Sequence, residues 1–353
     1  MCIVLGILIL ALLAYIVYLY ASYYRIEDNQ ELVVEAPVDD TTTGAAAVLA
    51  TDTEYSAVTY NIGFGAYLPD YSFFMDGGTS SWAESPETVQ YAINGAGELV
   101  KSLDPDFALI QEVDLDATRS YHTDEYEMLR NILPEYTTVF AQNYDSAFLF
   151  YPFTQPHGSN RAGLGLFSKY PVSSALRRSF PISTSFSKFF DLDRCYSVSR
   201  IPVDNGKELV IFNLHMSAYG NSDEIRKGQI EMLCNDMAKE YEAGNYVLCG
   251  GDFNHDLKAS EEDAENCESW AFPFPRTELP EHFAFCLDLL SSEEQAALWN
   301  SARNADMEYV PSVTYTVTLD GFIISDNIEC LSYENINTGY SYSDHDPVKV
   351  DFV

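Results

Sequence analysis

The stretch "VLCGGDFNHD", residues 247–256, places an apolar, strand-like run directly before a polar cluster. Asp252 and Asn254 are two positions apart, so in an extended backbone both side chains point to the same side. Gly250 and Gly251 let another backbone or a phosphate come close, because glycine has no side chain. A simple turn would explain this composition. A catalytic site would also explain it, provided that its partners lie elsewhere in the chain.

Apolar, β-branched runs of strand length recur along the chain, each bounded by Gly, Pro, Asn or Asp. Two segments instead have the spacing of amphipathic helices, at 85–104 and 222–244, with Ser85 and Ser222 as N-caps. Strands outnumber helices, which predicts a four-layer α/β sandwich: two mainly antiparallel sheets face to face, with helices outside. The predicted strands lie within residues 55–63, 105–114, 137–143, 162–172, 207–217, 245–254, 316–325 and 347–353.

Polar side chains stand at the ends of five of these runs. Taken singly, Asn and Asp at a strand end are explained by turns. Taken together, they would cost stability unless they satisfied one another or a bound metal. Carboxylate and amide oxygens suit Mg²⁺ or Mn²⁺, whereas zinc would need more His or Cys ligands. The residues are Asn61, Glu112, Asn213, His215, Asp252, Asn254, Asp344 and His345.

Six short segments carry these residues in a fixed order: "YNIG" (60–63), "QEVD" (111–114), "NLHMSAYG" (213–220), "GGDFN" (250–254), "LDGF" (319–322) and "SDHDPV" (343–348). In this order they resemble the endonuclease/exonuclease/phosphatase superfamily, which includes DNase I. The resemblance covers residues 55–353 and implies a metal-dependent phosphoric ester hydrolase. In that family, water attacks phosphorus in line and displaces the leaving alkoxide.

The resemblance implies which residues hold the cation. Glu112 would bind a divalent ion, Mg²⁺ or Mn²⁺ in its place, and Asp344 would add a second contact. Asn61 would lie beside Glu112, either as a ligand or as a partner of the ligands. No other cofactor is implied.

It also implies catalytic roles for five residues. His345 would be the general base that activates water, with its imidazole oriented by Asp320. Asp252 would hold or deprotonate the attacking water, and Asn254 would steady the scissile phosphate. His215 would donate a hydrogen bond to a phosphate oxygen as charge develops.

Other residues match the family less well. His255 and Asp256 continue the "GDFN" turn, and we interpret them as capping residues. Arg161 could reach a phosphate or form a surface ion pair. Specificity would reside in two aromatic-rich loops, 66–84 and 143–160, and in the insertion 255–311. The aromatic side chains could contact lipid, stack on a base or sugar, or pack as lids, and packed lids are favoured.

The segment from Ile3 to Tyr24 contains no charged residue and is long enough to cross a bilayer as a helix. Its tyrosines cluster at one end, as in an interfacial aromatic belt. A signal peptide and a buried core helix are the alternatives. We predict a transmembrane anchor over 1–24, a linker over 25–53 and a catalytic domain over 54–353. Only Arg25 indicates orientation, and we expect a single-pass protein with an extracellular domain.

The chain has 54 acidic residues against 19 Lys and Arg, a formal net charge of −35. So acidic a surface repels polyanions, which favours a small or lipid-linked phosphoester substrate over polymeric nucleic acid. A nuclease acting on DNA or RNA is the main alternative, and a catalytically inactive binding or scaffold protein is the second. The seven cysteines contain no CxxC pair and are predicted to be free. We expect a monomer.

Overall fold

The computed structural model describes residues 1–39, 48–218, 223–260 and 270–353. Ser222, Cys267 and residues 40–47 of the predicted linker lie outside them. The helices in these residues are α1 (Cys2–Ser22), α2 (Pro86–Leu103), α3 (Glu125–Ile132), α4 (Asp223–Glu242) and α5 (Ser292–Ala297). The strands are β1 (Gln30–Glu31), β2 (Val34–Glu35), β3 (Tyr55–Asn61), β4 (Phe107–Ala117), β5 (Thr137–Asp145), β6 (Asn160–Ser168), β7 (Ser174–Ser179), β8 (Cys195–Pro202), β9 (Glu208–His215), β10 (Tyr246–Asp252), β11 (Phe283–Phe285), β12 (Ala302–Arg303), β13 (Thr316–Val317), β14 (Asp320–Ser325), β15 (Cys330–Asn335) and β16 (Val348–Phe352).

Two seven-stranded sheets dominate the described part of the chain. The first has the order β15-β16-β3-β4-β6-β5-β2 and the second the order β1-β7-β8-β9-β10-β14-β11. Within them β3 and β4 are parallel, as are β9 and β10, whereas the other pairs are antiparallel. The predicted four-layer sandwich of mainly antiparallel sheets is confirmed.

The alternation of side chains along β4 builds two of the layers. Phe107 and Leu109 enter the core between the sheets, where they join Phe212 of the second sheet. Ala108 and Ile110 point to the other face, in the cluster that α2 and α3 cover. Because strand side chains alternate with a period of two, one strand can bury both faces at once. On the far side of the molecule, α4 covers the second sheet through apolar side chains such as Leu233.

Helix α2 begins where the sequence predicts it. The Ser85 side chain accepts a hydrogen bond from the Thr88 backbone N–H, and Pro86 occupies the first helical position. Proline suits that position because its missing N–H would have no partner there in any case. The helix ends at Leu103, and Asp104, which caps it, has a left-handed backbone with φ +47°.

Part of the predicted linker belongs to the sandwich. Gln30 in β1 pairs with Arg177 at the edge of the second sheet, and Val34 in β2 pairs with Val139 at the edge of the first. Residues 25–53 are therefore not a free linker throughout. Strands of two residues carry no periodicity, so the sequence gives no signal for them.

Candidate active site

The strand pairing brings the predicted polar residues to one edge of the sandwich. Asn61 ends β3 beside Gln111 in parallel β4, and His215 ends β9 beside Asp252 in parallel β10. The ends of parallel strands share a sheet edge, so these side chains converge. In the antiparallel β14, Asp320 lies directly opposite Asp252.

Asn61 joins two carboxylates. Its Nδ2 donates to Glu112 Oε1 at 3.2 Å and to Asp252 Oδ2 at 3.1 Å. Its Oδ1 accepts the Gly63 backbone N–H at 3.0 Å. Because each half of the amide is engaged, Asn61 holds the two acids in a fixed relation to each other.

Two of the site residues have a left-handed backbone. Glu112 has φ +55° and Asn254 has φ +50°. Glu112 lies where the pairing of β4 with β6 shifts register, between Ile110 and Val113. Such a bulge re-aims a side chain at the cost of regular pairing. Non-glycine residues at positive φ are uncommon and concentrate at functional sites.

His345 and Asp320 form a buried hydrogen-bonded pair. His345 Nδ1 lies 2.7 Å from Asp320 Oδ2, which also accepts the Ser301 hydroxyl at 2.7 Å. An Nδ1–H that donates to the carboxylate leaves Nε2 for chemistry, and Nε2 lies 3.9 Å from Asp252 Oδ2. Burial by itself lowers the pKa of His345, but the charges of Asp320, Asp252 and Asp344 outweigh it and raise that pKa well above its usual range.

Loss of water raises the pKa of two carboxyls in the cleft. Burial, together with the Asp320 charge, raises the pKa of Asp252 to about 7, against the lowering effects of His345 and of hydrogen bonds from Asn254 and Asn61. Desolvation likewise raises the pKa of Asp344 to about 6. In both cases burial outweighs the lowering effect of neighbouring positive groups.

His215 is buried and neutral. Burial, followed by the positive charge of Arg194, lowers the pKa of His215 well below its usual range. Its Nε2 lies 3.6 Å from Asp252 Oδ2 and 3.8 Å from Glu112 Oε1, beyond ordinary hydrogen-bond length. A neutral imidazole keeps one N–H, so His215 can donate to an anion without carrying a charge itself.

Asn254 is fixed by its neighbours. Its backbone N–H donates to Asp252 Oδ1 at 2.8 Å, and its Nδ2 donates to the Met216 carbonyl at 2.9 Å. The two-residue spacing read from "GDFN" therefore places both side chains at the site.

These groups line a cleft of about 540 Å³. Six predicted residues border it, whereas Asn61 and Asp320 lie behind and orient the others. Three buried arginines also border it, and sequence reasoning missed them because they come from separate segments that contain no basic cluster. The six are Glu112, His215, Asp252, Asn254, Asp344 and His345, and the arginines are Arg119, Arg194 and Arg303.

The arginines are held by the protein in different ways. Arg119 forms an ion pair with Asp114 at 2.8 Å and lies over the Phe64 ring at 3.7 Å. Arg303 donates to the Leu68 carbonyl at 2.9 Å. Arg194 donates through Nη1 to the Met216 carbonyl at 2.9 Å, and its Nε has no hydrogen-bond partner among the described residues.

Other polar residues noted in the sequence have structural contacts. Asn213 accepts a hydrogen bond from Gln111 at 2.9 Å and donates to the Gly165 carbonyl, which ties the two sheets together. His255 is buried with Nδ1 2.6 Å from the Phe253 carbonyl, and Asp256 accepts the Lys258 N–H, as expected of capping residues. Arg161 forms an exposed ion pair with Asp116 at 2.9 Å.

The donor chemistry of the cleft fits a hard divalent cation. Glu112, Asp252 and Asp344 supply carboxylate oxygens, the ligands that Mg²⁺ prefers. Burial raises the pKa of Asp252 and of Asp344, and a bound cation would favour their charged forms. A second grouping, Asp252, Asp320 and His345, has ligand atoms within 4.8 Å of one another. In that grouping, however, the Asp320–His345 hydrogen bond already engages two of the donor atoms.

Several solved structures resemble this fold. Among solved structures of similar fold, the endonuclease/exonuclease/phosphatase from Bacteroides vulgatus is 17% identical, with a TM-score of 0.56, covering 86% of this chain and 99% of that one. The human Nocturnin catalytic domain with bound sulfate is 15% identical, with a TM-score of 0.54, covering 85% and 93%. D. rerio TDP2 with single-strand DNA product is 14% identical, with a TM-score of 0.53, covering 86% and 100%.

At such identities these likenesses concern the fold. No curated protein matches the chain. The model of the endonuclease/exonuclease/phosphatase family, by contrast, matches residues 58–289, which is more than half of the sequence. The chain therefore belongs to the endonuclease/exonuclease/phosphatase family.

Proposed function

We propose that this protein is a membrane-anchored, Mg²⁺-dependent hydrolase that cleaves a small or lipid-linked phosphoester. The observation that carries the proposal is a cleft in which the three predicted carboxylates and the two predicted histidines meet three arginines. Carboxylates suit a cation, and arginines suit a phosphate. In an acidic chain, a buried group of arginines is costly unless it has a function or fixed partners.

Glu112 and Asp344 would hold the cation, with Asn61 keeping Glu112 in place through the hydrogen bond at 3.2 Å. A bound Mg²⁺ would polarise the phosphoryl oxygen and offset charge on the leaving oxygen. Mn²⁺ would satisfy the same oxygen donors.

His345 would take the proton from the attacking water through Nε2, with its ring oriented by Asp320 at 2.7 Å. A base must be neutral to accept a proton, yet the surrounding carboxylates raise the pKa of His345. Cation binding would offset part of that negative charge and bring this pKa down. Asp252, 3.9 Å from Nε2, would hold the water between the two groups.

Donors on the other side of the cleft would bind the phosphate. Neutral His215 would donate to a phosphate oxygen as charge develops, and Asn254 would steady the scissile group. Arg194 would add positive charge, since its Nε has no other partner among the described residues. Asn254 and Arg194 are held by hydrogen bonds to the Met216 carbonyl before substrate arrives, which lowers the reorganisation needed during reaction.

The His345→Ala variant tests the proposal. Loss of a positioned general base is expected to lower kcat on a chromogenic phosphodiester in Mg²⁺ by about 10²–10⁴-fold. The exposed His122, paired with Asp116 on the surface, provides a matched control as His122→Ala. If wild type and both variants are equally inactive with Mg²⁺, on this substrate and on the phosphoesters named below, the result supports an inactive binding or scaffold protein. If His345→Ala retains full activity, His345 is not the base.

A nuclease is the second candidate, because the fold is shared with a solved structure that contains a single-strand DNA product. The net charge of −35 opposes it. Comparing hydrolysis of phosphoinositides, sphingomyelin, cyclic dinucleotides and DNA, each with and without EDTA, separates the two candidates.

Membrane attachment through α1 is part of the proposal. One helix of the described residues, Cys2–Ser22, is long and apolar enough to be a membrane span or a signal sequence. Its apolar window is 6% buried, unlike the core helix of a soluble protein. We propose a retained anchor with the catalytic domain, a monomer, outside the cell. Protease digestion of the domain on intact cells tests this orientation.

A further inference from the structure

One loop of this acidic protein is apolar at its tip. Residues 146–160 contain no Asp, Glu, Lys or Arg, although 21% of the chain is charged. Phe150, Tyr151 and Phe153 in this loop are 50%, 61% and 84% exposed. By contrast, Tyr67 and Phe73 in the other aromatic loop are buried. Adjacent exposed aromatic side chains indicate a surface that some apolar partner covers.

The C-terminal half of α1 lies against this loop. The Tyr15 ring meets the Phe150 ring edge to face with centroids 5.1 Å apart. The Tyr15 hydroxyl donates to the Phe148 carbonyl at 3.2 Å, and the Tyr18 hydroxyl accepts the Phe148 N–H at 3.0 Å. Leu19 is buried in a cluster with Leu149 and Phe189.

The chain that follows α1 is also fixed to the domain. Arg25 forms an ion pair with Asp193 at 2.6 Å and donates to the Phe180 carbonyl at 2.6 Å. The Ile26 N–H donates to Asp193 at 3.1 Å, and β1 pairs with β7 a few residues later. Helix α1 therefore leaves the domain from a defined point beside the apolar loop.

These contacts determine how deep the loop would lie in a bilayer that α1 spans. An apolar helix of 21 residues rises about 31 Å, close to the roughly 30 Å hydrocarbon core, so a span would need nearly all of α1. Tyr15 lies seven residues, about 10 Å, before the end of α1 at Ser22. A loop in contact with Tyr15 would then lie below the level at which α1 leaves the hydrocarbon.

We propose that residues 148–153 and 186–190 form a bilayer-docking surface continuous with α1. Phe186, 48% exposed, extends the surface on the second segment. The loop in contact with Tyr15 reaches deeper, whereas Tyr20 and Tyr23 both contact the Phe189 ring, so the second segment lies level with the interfacial tyrosines of α1. Aromatic side chains are enriched at that level of a bilayer. A lipid surface is the occupant because the patch continues the apolar face of a helix of membrane-spanning length.

Charge favours zwitterionic over anionic lipid. Lys188 is the one basic residue of the two segments, and its Nζ lies 4.6 Å from the centroid of the Tyr23 ring. A net charge of −35 gives the molecule no general attraction to anionic headgroups. The burial of aromatic surface in the bilayer is therefore what drives binding to the membrane.

The docking surface borders the catalytic cleft. Phe190 packs in the cluster with α1 and also lines the cleft, and Ser187 lines it too. The Phe74 ring lies 5.8 Å from the Tyr151 ring, and its neighbour Met75 borders the cleft opening. Docking would hold this opening at the headgroup level. This last step rests on the proposed function and identifies the substrate as a phosphoester presented by a membrane lipid.

The test places a fluorescent probe on the loop of the full chain, reconstituted in phosphatidylcholine nanodiscs. The variant Phe153→Trp carries the probe on the docking surface. The matched control Leu331→Trp carries it at a 46% exposed site on β15, at the opposite edge of the same sheet from β5. Lipid with brominated acyl chains quenches tryptophan that enters the bilayer. The unsubstituted protein supplies the signal of its three native tryptophans for subtraction.

We expect the tryptophan at 153 to lose about half of its emission or more in brominated lipid, and the tryptophan at 331 to keep its emission. Equal, weak quenching of both probes would overturn the docking surface. A blue-shifted but unquenched probe at 153 would also overturn it, because it means that a second copy or another protein covers the loop. The readout needs neither metal nor turnover, so it stands if the proposed hydrolysis fails.

Discussion

Glu112 is an unusual residue to find with a left-handed backbone. Its φ of +55° would suit Gly, Asn or Asp better, because their side chains tolerate or support that conformation. The strain costs about 1 kcal/mol or more. A turn would not require a glutamate at this position, so the residue type is explained by its carboxylate and not by its backbone. This supports the assignment of Glu112 as a cation ligand rather than as part of a structural bulge.

Replacing Glu112 with Gln is expected to weaken Mg²⁺ binding by about tenfold or more, since one charged oxygen donor is lost. Without Mg²⁺ the variant should unfold at the same temperature as wild type or slightly higher. The reason is that Glu112 adds negative charge beside Asp344, whose pKa it helps to raise. Isothermal titration calorimetry and thermal unfolding, with and without Mg²⁺, measure the two effects.

The control for this prediction is Glu98→Gln, at an exposed position of α2 that forms a long pair with Lys101. It should leave Mg²⁺ affinity unchanged. Unaltered affinity in Glu112→Gln, with loss in Asp320→Asn, would move the cation to the Asp252–Asp320–His345 grouping.

At the residue scale, the sequence predicts which acidic and polar side chains meet in the cleft. It does not predict the arginines that lie beside them. Asn61, Glu112 and Asp252 follow strand patterns with recognisable order, and in the fold Asn61 donates a hydrogen bond to each of the two carboxylates. Arg194 and Arg303 follow no such pattern. An arginine reaches a cleft through a long side chain from whichever segment passes by, so its position depends on tertiary packing.

At the scale of helices and strands, local sequence again predicts only part of the structure. Strands β9 and β10 are continuous apolar runs, and their burial on both faces follows from their central places in the sheet. Strand β7, "SALRRS", is not among the predicted strands, and its two arginines are typical of an exposed segment. Arg177 is nevertheless fully buried and donates to the carbonyls of Gln142, Glu27 and Asp193. Those acceptors come from three other segments, which local sequence cannot reveal.

Strand β10 depends on glycine where it meets β9. Gly251 has φ +146°, and a Cβ there would lie 2.1 Å from the Leu214 carbonyl oxygen. The variant Gly251→Ala must displace β9 or β10, and with them His215 or Asp252. We expect a loss of about 3 kcal/mol, which corresponds to a fall of roughly 6–12 °C in unfolding temperature.

The matched control is Gly206→Ala. Gly206 also has a positive φ, +80°, but a Cβ there would meet nothing within 4 Å. The substitution should therefore lower the free energy of unfolding only through the strained backbone of alanine at positive φ. We expect a loss of about 1 kcal/mol, or roughly 2–4 °C in unfolding temperature. Equal falls in the two variants, measured by thermal unfolding of the full chain in detergent, would show that close packing of β9 on β10 does not limit stability.

At the scale of the whole molecule, three of the few basic side chains meet at the cleft, where acidic side chains lie beside them. The chain has 19 Lys and Arg in total, and three of its arginines border the candidate site. Outside the cleft, many basic residues are paired with acids, as Arg200 is with Glu208 and Glu240. A single phosphate can therefore find donors within the cleft, whereas a polymer must also cross an acidic surface.

This distribution predicts how the protein responds to nucleic acid and salt. Proteins that bind DNA through Lys and Arg contacts lose affinity steeply as salt rises, because counterions are released on binding. Here the net charge of −35 repels the strand. The His345→Ala protein, which should bind without cleaving, is expected to show only weak binding of a fluorescent single-stranded oligonucleotide at low salt. Added salt should leave that binding unchanged or slightly stronger, because it screens repulsion.

Fluorescence anisotropy across a salt series measures this, with a short phosphodiester as competitor to report on the cleft alone. Tight binding at low salt that weakens steeply as salt rises would instead identify a basic path for the strand and favour the nuclease.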